Sequence, residues 1–550
     1  MANKNNKPVD AVIVGAGGGG GIAAQELAQA GWNVVVLERG RWMKFEETGH
    51  HELKSQRTTV LGSAFGPDDA RHVRVRQSGP GTWTKVLPSD GAYNNIAACV
   101  GGGTLSYGAM AWRFLPKDFA MKSTYGAPEG STLEDWPITY DDLAPYYDRA
   151  EWDIGVNGRA GANTFEGKRG KDYPMPPLPY NREASILNTA AKKLGWHPFP
   201  IPMAINSKPY GGRPGCVMCP HCVGFQCEVN AKSSTAATVL PRAIATGNCE
   251  VRTECVAYSI LMDGKGRATA VAYFDAQGKR QIVRAAKAVI LAASATETAR
   301  LLLLSKSKQY PNGIGNRHDW VGRNLQGHAY SGAFGLFDQE LYDGVGPAAR
   351  IAVCDFNHGN EGVIGGAMLC NEFIRLPYLF ARSIRPPGSP RWGKKHKDFQ
   401  RQWYKRSMGV KGPVQEVPRW DARVELDPTV TDHWGIPTLR LSGGRHPKDI
   451  ETARFIARKS AEWLRAAGAL EVFETVAGSG LSGGQHQTGT ARMSKDAKSG
   501  VVDPDCRVHD TANLYIADGS VHVTNGGFNP SLTIQALAYR TSARILKNLS

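Results

Sequence analysis

Apolar and polar positions along this chain follow two periods, and each change of period marks an element. The four apolar residues Ala11-Val12-Ile13-Val14 lead into Gly15-Ala16-Gly17-Gly18-Gly19-Gly20, a helix-like stretch from about Gly21 to Ala30, and then Val34-Val35-Val36-Leu37-Glu38. An apolar run, a glycine turn, a helical stretch and a second apolar run read as one βαβ unit. Residues 288–302 repeat the theme of buried strand, small-residue turn and helix, and the late strand Leu514-Tyr515-Ile516-Ala517 ends on Asp518-Gly519. Asp135-Trp136-Pro137 turns into an amphipathic helix reaching Glu151, and Asp449 to Ala467 reads as a helix with a mixed charged face. Ala422-Arg423-Val424-Glu425-Leu426 and Thr438-Leu439-Arg440-Leu441 alternate, so residues 331–440 are expected to form an antiparallel sheet roofing the site. The stretch from about Arg382 to Pro418, rich in Arg, Lys, Trp and Pro, reads as a surface excursion. The pattern predicts an α/β fold, a Rossmann-type domain joined to an antiparallel-sheet domain.

Composition sets the scale. With 550 residues, 41% of them apolar, and 63 glycines, the chain exceeds one ordinary core and has room for a large cofactor between two closely connected domains. The formal charge of +16 favours acidic partners. The Lys and Arg are dispersed, however, and no repeat of basic and aromatic residues accompanies them, so nucleic-acid binding is not expected. No apolar run reaches the roughly 18 residues of a membrane span. The opening Met-Ala-Asn-Lys-Asn-Asn-Lys-Pro-Val-Asp lacks the ordered regions of an export signal. Any membrane contact is therefore expected through a partner.

The glycine turn carries the first chemistry. Gly15 permits the tight turn, Gly17 lets backbone approach a pyrophosphate, and Gly20 lets helix and strand pack closely. The helix N-terminus then meets negative charge. Glu38, at the end of the second strand, can accept hydrogen bonds from both ribose hydroxyls of an adenosine. This unit by itself fits FAD or NAD.

Four further segments point to one family. Cys99-Val100-Gly101-Gly102-Gly103-Thr104-Leu105-Ser106-Tyr107-Gly108-Ala109, the strand-turn-helix at 288–302, Asn513-Leu514-Tyr515-Ile516-Ala517-Asp518-Gly519-Ser520, and Gly484-Gln485-His486-Gln487-Thr488-Gly489-Thr490-Ala491-Arg492-Met493 with Gly526-Gly527-Phe528-Asn529-Pro530 resemble the glucose-methanol-choline (GMC) oxidoreductases. The resemblance implies FAD, with Gly102, Gly103, Thr104 and Ser106 against the flavin. It also implies Ala293 near the adenine half, and Asp518, Gly519 and Asn529 along the cofactor. It places His486 near flavin N5 as the base that takes the alcohol proton while hydride passes to N5, with Asn529 hydrogen-bonding the substrate oxygen. An imidazole titrating near neutrality suits that work. Asn529 can also cap the helix beginning at Pro530. His522 matches no catalytic position and is a minor candidate. Some members attach FAD through a His in the glycine-rich segment; residues 100–109 contain none, so dissociable FAD is expected.

Cys216, Cys219, Cys222 and Cys227 form a C-x2-C-x2-C-x4-C array. Thiolates this crowded suit a metal centre, and an iron–sulfur cluster, 3Fe-4S or 4Fe-4S, leads structural zinc with His221 as a substitute ligand, or disulfides. The remaining six cysteines are scattered and read as core residues. The array and Asn206-Ser207-Lys208-Pro209-Tyr210 before it resemble the flavoprotein subunits of bacterial FAD sugar dehydrogenases, though the cysteine spacing differs. That resemblance implies a pyranose or glucoside substrate, oxidised at C3 of a glucoside or C1 of an aldose, and electron transfer through the cluster to a cytochrome c subunit. It implies periplasmic export with a small signal-bearing subunit; a cytoplasmic enzyme is the alternative. An oxygen-using oxidase and a non-redox flavin-binding lyase or assembly protein are the competing readings. The expected organisation is FAD-binding at 1–130, 233–330 and 476–550, substrate domain at 131–205 and 331–475, and the cysteine loop at 206–232.

Overall fold

In the computed structural model, residues 7–55, 65–90, 93, 97–372, 376–481 and 486–549 are described. The strand Val9–Val14, buried over its last four residues, lies inside a seven-stranded sheet. It pairs in parallel with Val34–Leu37 on one side and with Arg280–Leu291 on the other. Cys249–Arg252 extends the sheet beyond Val34–Leu37, and Leu514–Ile516 joins Arg280–Leu291, both in parallel. The 12-residue strand Arg280–Leu291 serves two neighbourhoods. Residues 280–284 pair antiparallel with Ala268–Phe274, whereas residues 285–291 join the parallel sheet. Its last four residues, Ala288 to Leu291, are fully buried, as expected for a strand covered on both faces.

The first helix spans Gly18–Gln29, starting three residues before the expected Gly21. Glycine is a poor helix former, but tertiary packing demands it here. A Cβ on Gly19 would lie 1.7 Å from the Ala517 carbonyl oxygen, and one on Gly20 would lie 2.0 Å from that of Gly15. The first turn therefore packs against bare backbone. The C-terminal helix Ser531–Leu549 packs on this helix and on Tyr140–Ile154. Tyr140–Ile154 is the amphipathic helix the sequence predicts, opened by a Thr139–Asp142 capping box and closed by left-handed Gly155.

A six-stranded sheet runs in the order Glu471–Thr475, Ala329–Leu336, Ser407–Val414, Leu369–Asn371, Ile351–Val353, Phe199–Pro200. Helix Pro447–Ala466 covers one face, close to the predicted Asp449–Ala467. Two parts of the sequence reading change. The alternating segments Arg423–Thr431 and Pro437–Ser442 do not join this roof; they form a separate four-stranded sheet with Arg74–Gly79 and Thr82–Val86. Alternation reports a half-buried strand but not its partner. The surface excursion also ends earlier. Helix Gly393–Trp403 has no buried residue, but Ser407–Val414 is a central strand paired along its whole length with Ala329–Leu336. Two glycines and a proline hid this strand. Gly412 is required there, because its Cβ would stand 2.0 Å from the Met368 carbonyl oxygen.

One continuous apolar core joins the parallel sheet to residues such as Phe114, Trp136 and Phe199. Within it Arg113 is fully buried, bonded to Glu151 at 2.8 and 2.7 Å and to Asp148 at 2.7 Å. The Glu151 carboxylate is also met by Arg169. Among the described residues no helix is long and apolar enough to cross a membrane. Removing one partner of a buried ion network strands the others, so Arg113→Met is expected to destabilise the fold by about 3–5 kcal/mol. A urea midpoint equal to that of the wild type would contradict this.

Candidate active site

The parallel strands end together, and the residues that follow them wall one cavity of about 310 Å³. Gly15 and Gly17 follow Val9–Val14, Glu38 follows Val34–Leu37, Ala292 and Ala293 follow Arg280–Leu291, and Asp518 and Gly519 follow Leu514–Ile516. A crevice outside the carboxyl ends of parallel strands is the usual ligand site of such sheets. Gly102, Gly103, Thr104 and Ser106 line the same space, as do His486 and Asn529. Among the predicted cofactor residues, Gly20 stands apart, turned against Gly15 and Ala292 as a packing residue.

The cavity's features suit an extended dinucleotide. Helix Gly18–Gln29 opens at Gly17 without a side-chain cap, leaving its first N–H groups for an anion. Gly15 holds φ +104°, and any Cβ there would lie 2.3 Å from the Ala292 oxygen. The Ser106 and Ser294 hydroxyls are buried without a partner among the described residues, and both side chains belong to the cavity wall. Glu38 is buried, which raises its pKa, and its two oxygens accept from the Ala16 and Gly40 amides at 2.9 Å each. The carboxylate thus braces the glycine turn while facing the cavity. Asp518 is likewise raised by burial and braces two elements, accepting from Ser520 and from Thr298 and Ser294. Arg39, His72, Glu297 and Arg300 line the space too. Burial pushes Glu297 up, yet the guanidiniums of Arg39, Arg74 and Arg300 together hold it well below the usual carboxylate range.

His486 and Asn529 converge at one part of the wall. His486 adopts φ +69°, a left-handed conformation that costs a β-carbon-bearing residue roughly 1–2 kcal/mol. Its Nε2 stands 3.2 Å from Asn529 Nδ2 and its Nδ1 stands 2.9 Å from His328 Nδ1. The Trp112 indole donates to Asn529 Oδ1 at 3.0 Å, and Asn529 Nδ2 donates to the Tyr330 hydroxyl at 3.4 Å. His328 Nε2 meets the Gly526 carbonyl at 2.8 Å, and burial lowers the His328 pKa to about 4. The sequence reading missed His328 and Tyr330; a lone His beside a glycine at a strand entry carries no periodic or motif signal. His522, the minor candidate, lies outside this group. It sits in the core against Phe114 and Trp136, lowered to about 3 by burial, and neither ring nitrogen has a partner among the described residues.

The four cysteines of the array line a second cavity of about 90 Å³ with His50, His221 and Lys232. Lys232 Nζ donates to the carbonyls of Cys222 at 2.6 Å, Phe225 at 2.7 Å and Tyr107 at 3.0 Å. His221 stacks on His50 at 4.6 Å between centroids. Among the described residues, no three His, Cys, Asp or Glu side chains converge as a single-ion site, and none of the ten cysteines is disulfide-bonded. The other six cysteines are buried. The loop reaches the main cavity: Val223, next to Cys222, lines it, and the Gly224 amide donates to the Ser106 carbonyl at 2.7 Å.

Residues 96–330 and 418–538 match the N- and C-terminal parts of the GMC oxidoreductase family. The chain is 30% identical to the gluconate 2-dehydrogenase flavoprotein of Pantoea cypripedii, over 98% of this chain and 94% of that one. It is 31% identical to the 6'''-hydroxyparomomycin C oxidase of Streptomyces lividus, over 98% and 92%. It is 28% identical to the fructose dehydrogenase large subunit of Gluconobacter japonicus, over 98% of each. Among solved structures, pyridoxine 4-oxidase from Mesorbium loti shares the fold, with TM-score 0.64 and 16% identity over 97% of this chain and 98% of that one. The shared family segments, the full-length relatives and the common fold agree, and the chain is a member of the GMC oxidoreductase family.

Proposed function

We propose that this oxidoreductase binds FAD non-covalently and oxidises a hydroxyl of a pyranose or glucoside, at C3 of a glucoside or C1 of an aldose. One observation carries the reading: a single cavity holds both an uncapped, glycine-walled helix N-terminus and a converging imidazole and amide. The N-terminus of Gly18–Gln29 would receive the pyrophosphate, Glu38 the adenosine ribose, and the 102–106 segment the flavin. Bound FAD supplies the hydride acceptor. His486 takes the hydroxyl proton, which raises electron density on the carbinol carbon and makes its C–H bond a better hydride donor. Asn529 donates to the oxygen as negative charge develops there, from an amide already held by Trp112. Similarity to the gluconate and fructose enzymes supports a sugar-like substrate.

In this reading Cys216, Cys219, Cys222 and Cys227 would hold an iron–sulfur cluster, which would supply a route for electrons to a cytochrome c type acceptor. Support comes from their common cavity and from Val223, which carries the loop to the main cavity. The fructose enzyme is by its name one subunit of an assembly, which supports a partner here. We propose a periplasmic location, with export alongside a small signal-bearing subunit. The Streptomyces relative, an oxidase, favours a second reading in which oxygen is the acceptor. Stopped-flow mixing of reduced enzyme with air separates them: slow reoxidation is expected of the dehydrogenase.

Anaerobic titration with glucose and with methyl glucoside is expected to bleach the flavin; if neither sugar does, the substrate class is wrong. His486→Ala is expected to keep FAD and to lose about 10²- to 10⁴-fold in flavin reduction rate. An unchanged rate removes His486 from the chemistry. Cys222→Ser is expected to abolish the iron-dependent EPR signal and cytochrome reduction while sugar still bleaches the flavin. Absence of iron and of any such signal in the wild type would end the relay proposal and leave the sugar chemistry standing.

A further inference from the structure

We infer that His328 is a positioning residue that holds His486 in the tautomer with the proton on Nδ1 and the lone pair on Nε2. The inference deepens the reading of His486 as the base, because only that tautomer presents a proton acceptor toward Asn529 and the cavity.

Two fixed groups, the Gly526 carbonyl and the Trp112 indole, settle where the protons lie. The Gly526 carbonyl can only accept, so His328 Nε2, 2.8 Å away, carries a hydrogen. His328 is neutral, since burial disfavours its charged form, and a neutral imidazole with a hydrogen on Nε2 has a bare Nδ1. That bare nitrogen faces His486 Nδ1 at 2.9 Å. Two nitrogens at this distance share one hydrogen, so it belongs to His486 Nδ1. The opposite end of the chain reaches the same answer independently. The Trp112 indole can only donate, so the Asn529 atom beside it is the amide oxygen, and the NH2 group faces His486 Nε2 at 3.2 Å. A donor pointing at Nε2 requires a lone pair there.

The other tautomer fails at both ends. It would set N–H against N–H at Asn529 and lone pair against lone pair at His328. The hydrogen-bond chain Trp112–Asn529–His486–His328–Gly526 is therefore polarised in one direction, with both termini anchored on groups that cannot reverse. His328 is held in turn: it leads into strand Ala329–Leu336, and the Gly327 amide before it donates to Glu416 at 3.0 Å. Beyond His486, the charged or titratable groups acting on His328 are Arg445, which pairs with Glu416 at 2.9 Å, Asp118 and His522. When substrate enters, its hydroxyl can replace the Asn529 contact at Nε2 without any rearrangement of the Nδ1 side. His328 does not itself line the cavity and reaches it only through His486.

The test is nitrogen-15 NMR of the holoenzyme labelled in its histidine rings, with His486 assigned by the resonances lost in His486→Ala. The wild type is expected to show His486 Nδ1 protonated and Nε2 unprotonated. His328→Leu is expected to shift the ring toward the Nε2-protonated or mixed form and to slow flavin reduction by about 10²-fold, within the range general-base catalysis contributes, with KM little changed. His328→Asn places an amide oxygen near the lost Nδ1, and is expected to restore the tautomer and most of the rate. An Nε2-protonated His486 in the wild type overturns the inference, as does a His328→Leu enzyme with unchanged tautomer and rate. If His328→Leu fails to fold, the wild-type tautomer and the Asn variant still decide. The tautomer is read without turnover, so a sugar that fails to bleach the flavin leaves this result separately interpretable.

Discussion

Close contact between bare backbone segments governs this structure. The Gly15 turn lies against the Ala292 carbonyl and the first helical turn, at Gly19, lies against the Ala517 carbonyl, in both places closer than any Cβ allows. Those two carbonyls belong to the residues that follow Arg280–Leu291 and Leu514–Ile516. Glycine therefore draws chain segments hundreds of residues apart to one edge of a parallel sheet. The cavity is the space left where their ends diverge. Everything that faces it, from Glu38 to Asp518, inherits its place from that convergence.

Polar groups then stiffen the wall. Glu38 and Asp518 are buried carboxylates with their oxygens engaged by backbone amides and hydroxyls, so each links two elements that apolar packing alone would leave free to slide. The same logic recurs at the His486 end of the cavity, where Trp112 fixes the Asn529 amide and Gly526 fixes His328. Donor-only and acceptor-only groups at the termini of a hydrogen-bond chain determine every proton between them. Apolar burial supplies the rest: it keeps His328 and His522 neutral, so neither imidazole places a positive charge behind His486.

The cysteine loop occupies a different relation to the fold. Lys232 gathers three carbonyls, two from the loop and one from Tyr107, and so fastens the loop to the glycine-rich 102–108 segment that walls the main cavity. The loop and the cavity share Val223 as a common residue. Cys222 therefore lies one residue along the chain from the cavity lining. The exposed helix Gly393–Trp403 marks the opposite extreme, a charged surface element whose aromatic residues Phe399 and Trp403 pack on Phe334 and Phe380.

Local rules made the nucleotide half legible. The βαβ unit and its glycines depend on neighbours in sequence, as do the amphipathic helix after Pro137 and helix Pro447–Ala466 beyond it, and a strand buried on both faces announces itself as an apolar run. His486 and Asn529 were visible because each sits in a distinctive short motif. The chain by itself determined the fold class, the presence of a dinucleotide cavity and the identity of the imidazole and amide. Tertiary structure alone decided which alternating strands share a sheet, why the glycine- and proline-bearing Ser407–Val414 is a central strand, and that His328 stands behind His486. Strand partners and hydrogen-bond partners lie far apart in sequence, here 158 residues for the two imidazoles, and no local period encodes a contact made across that distance.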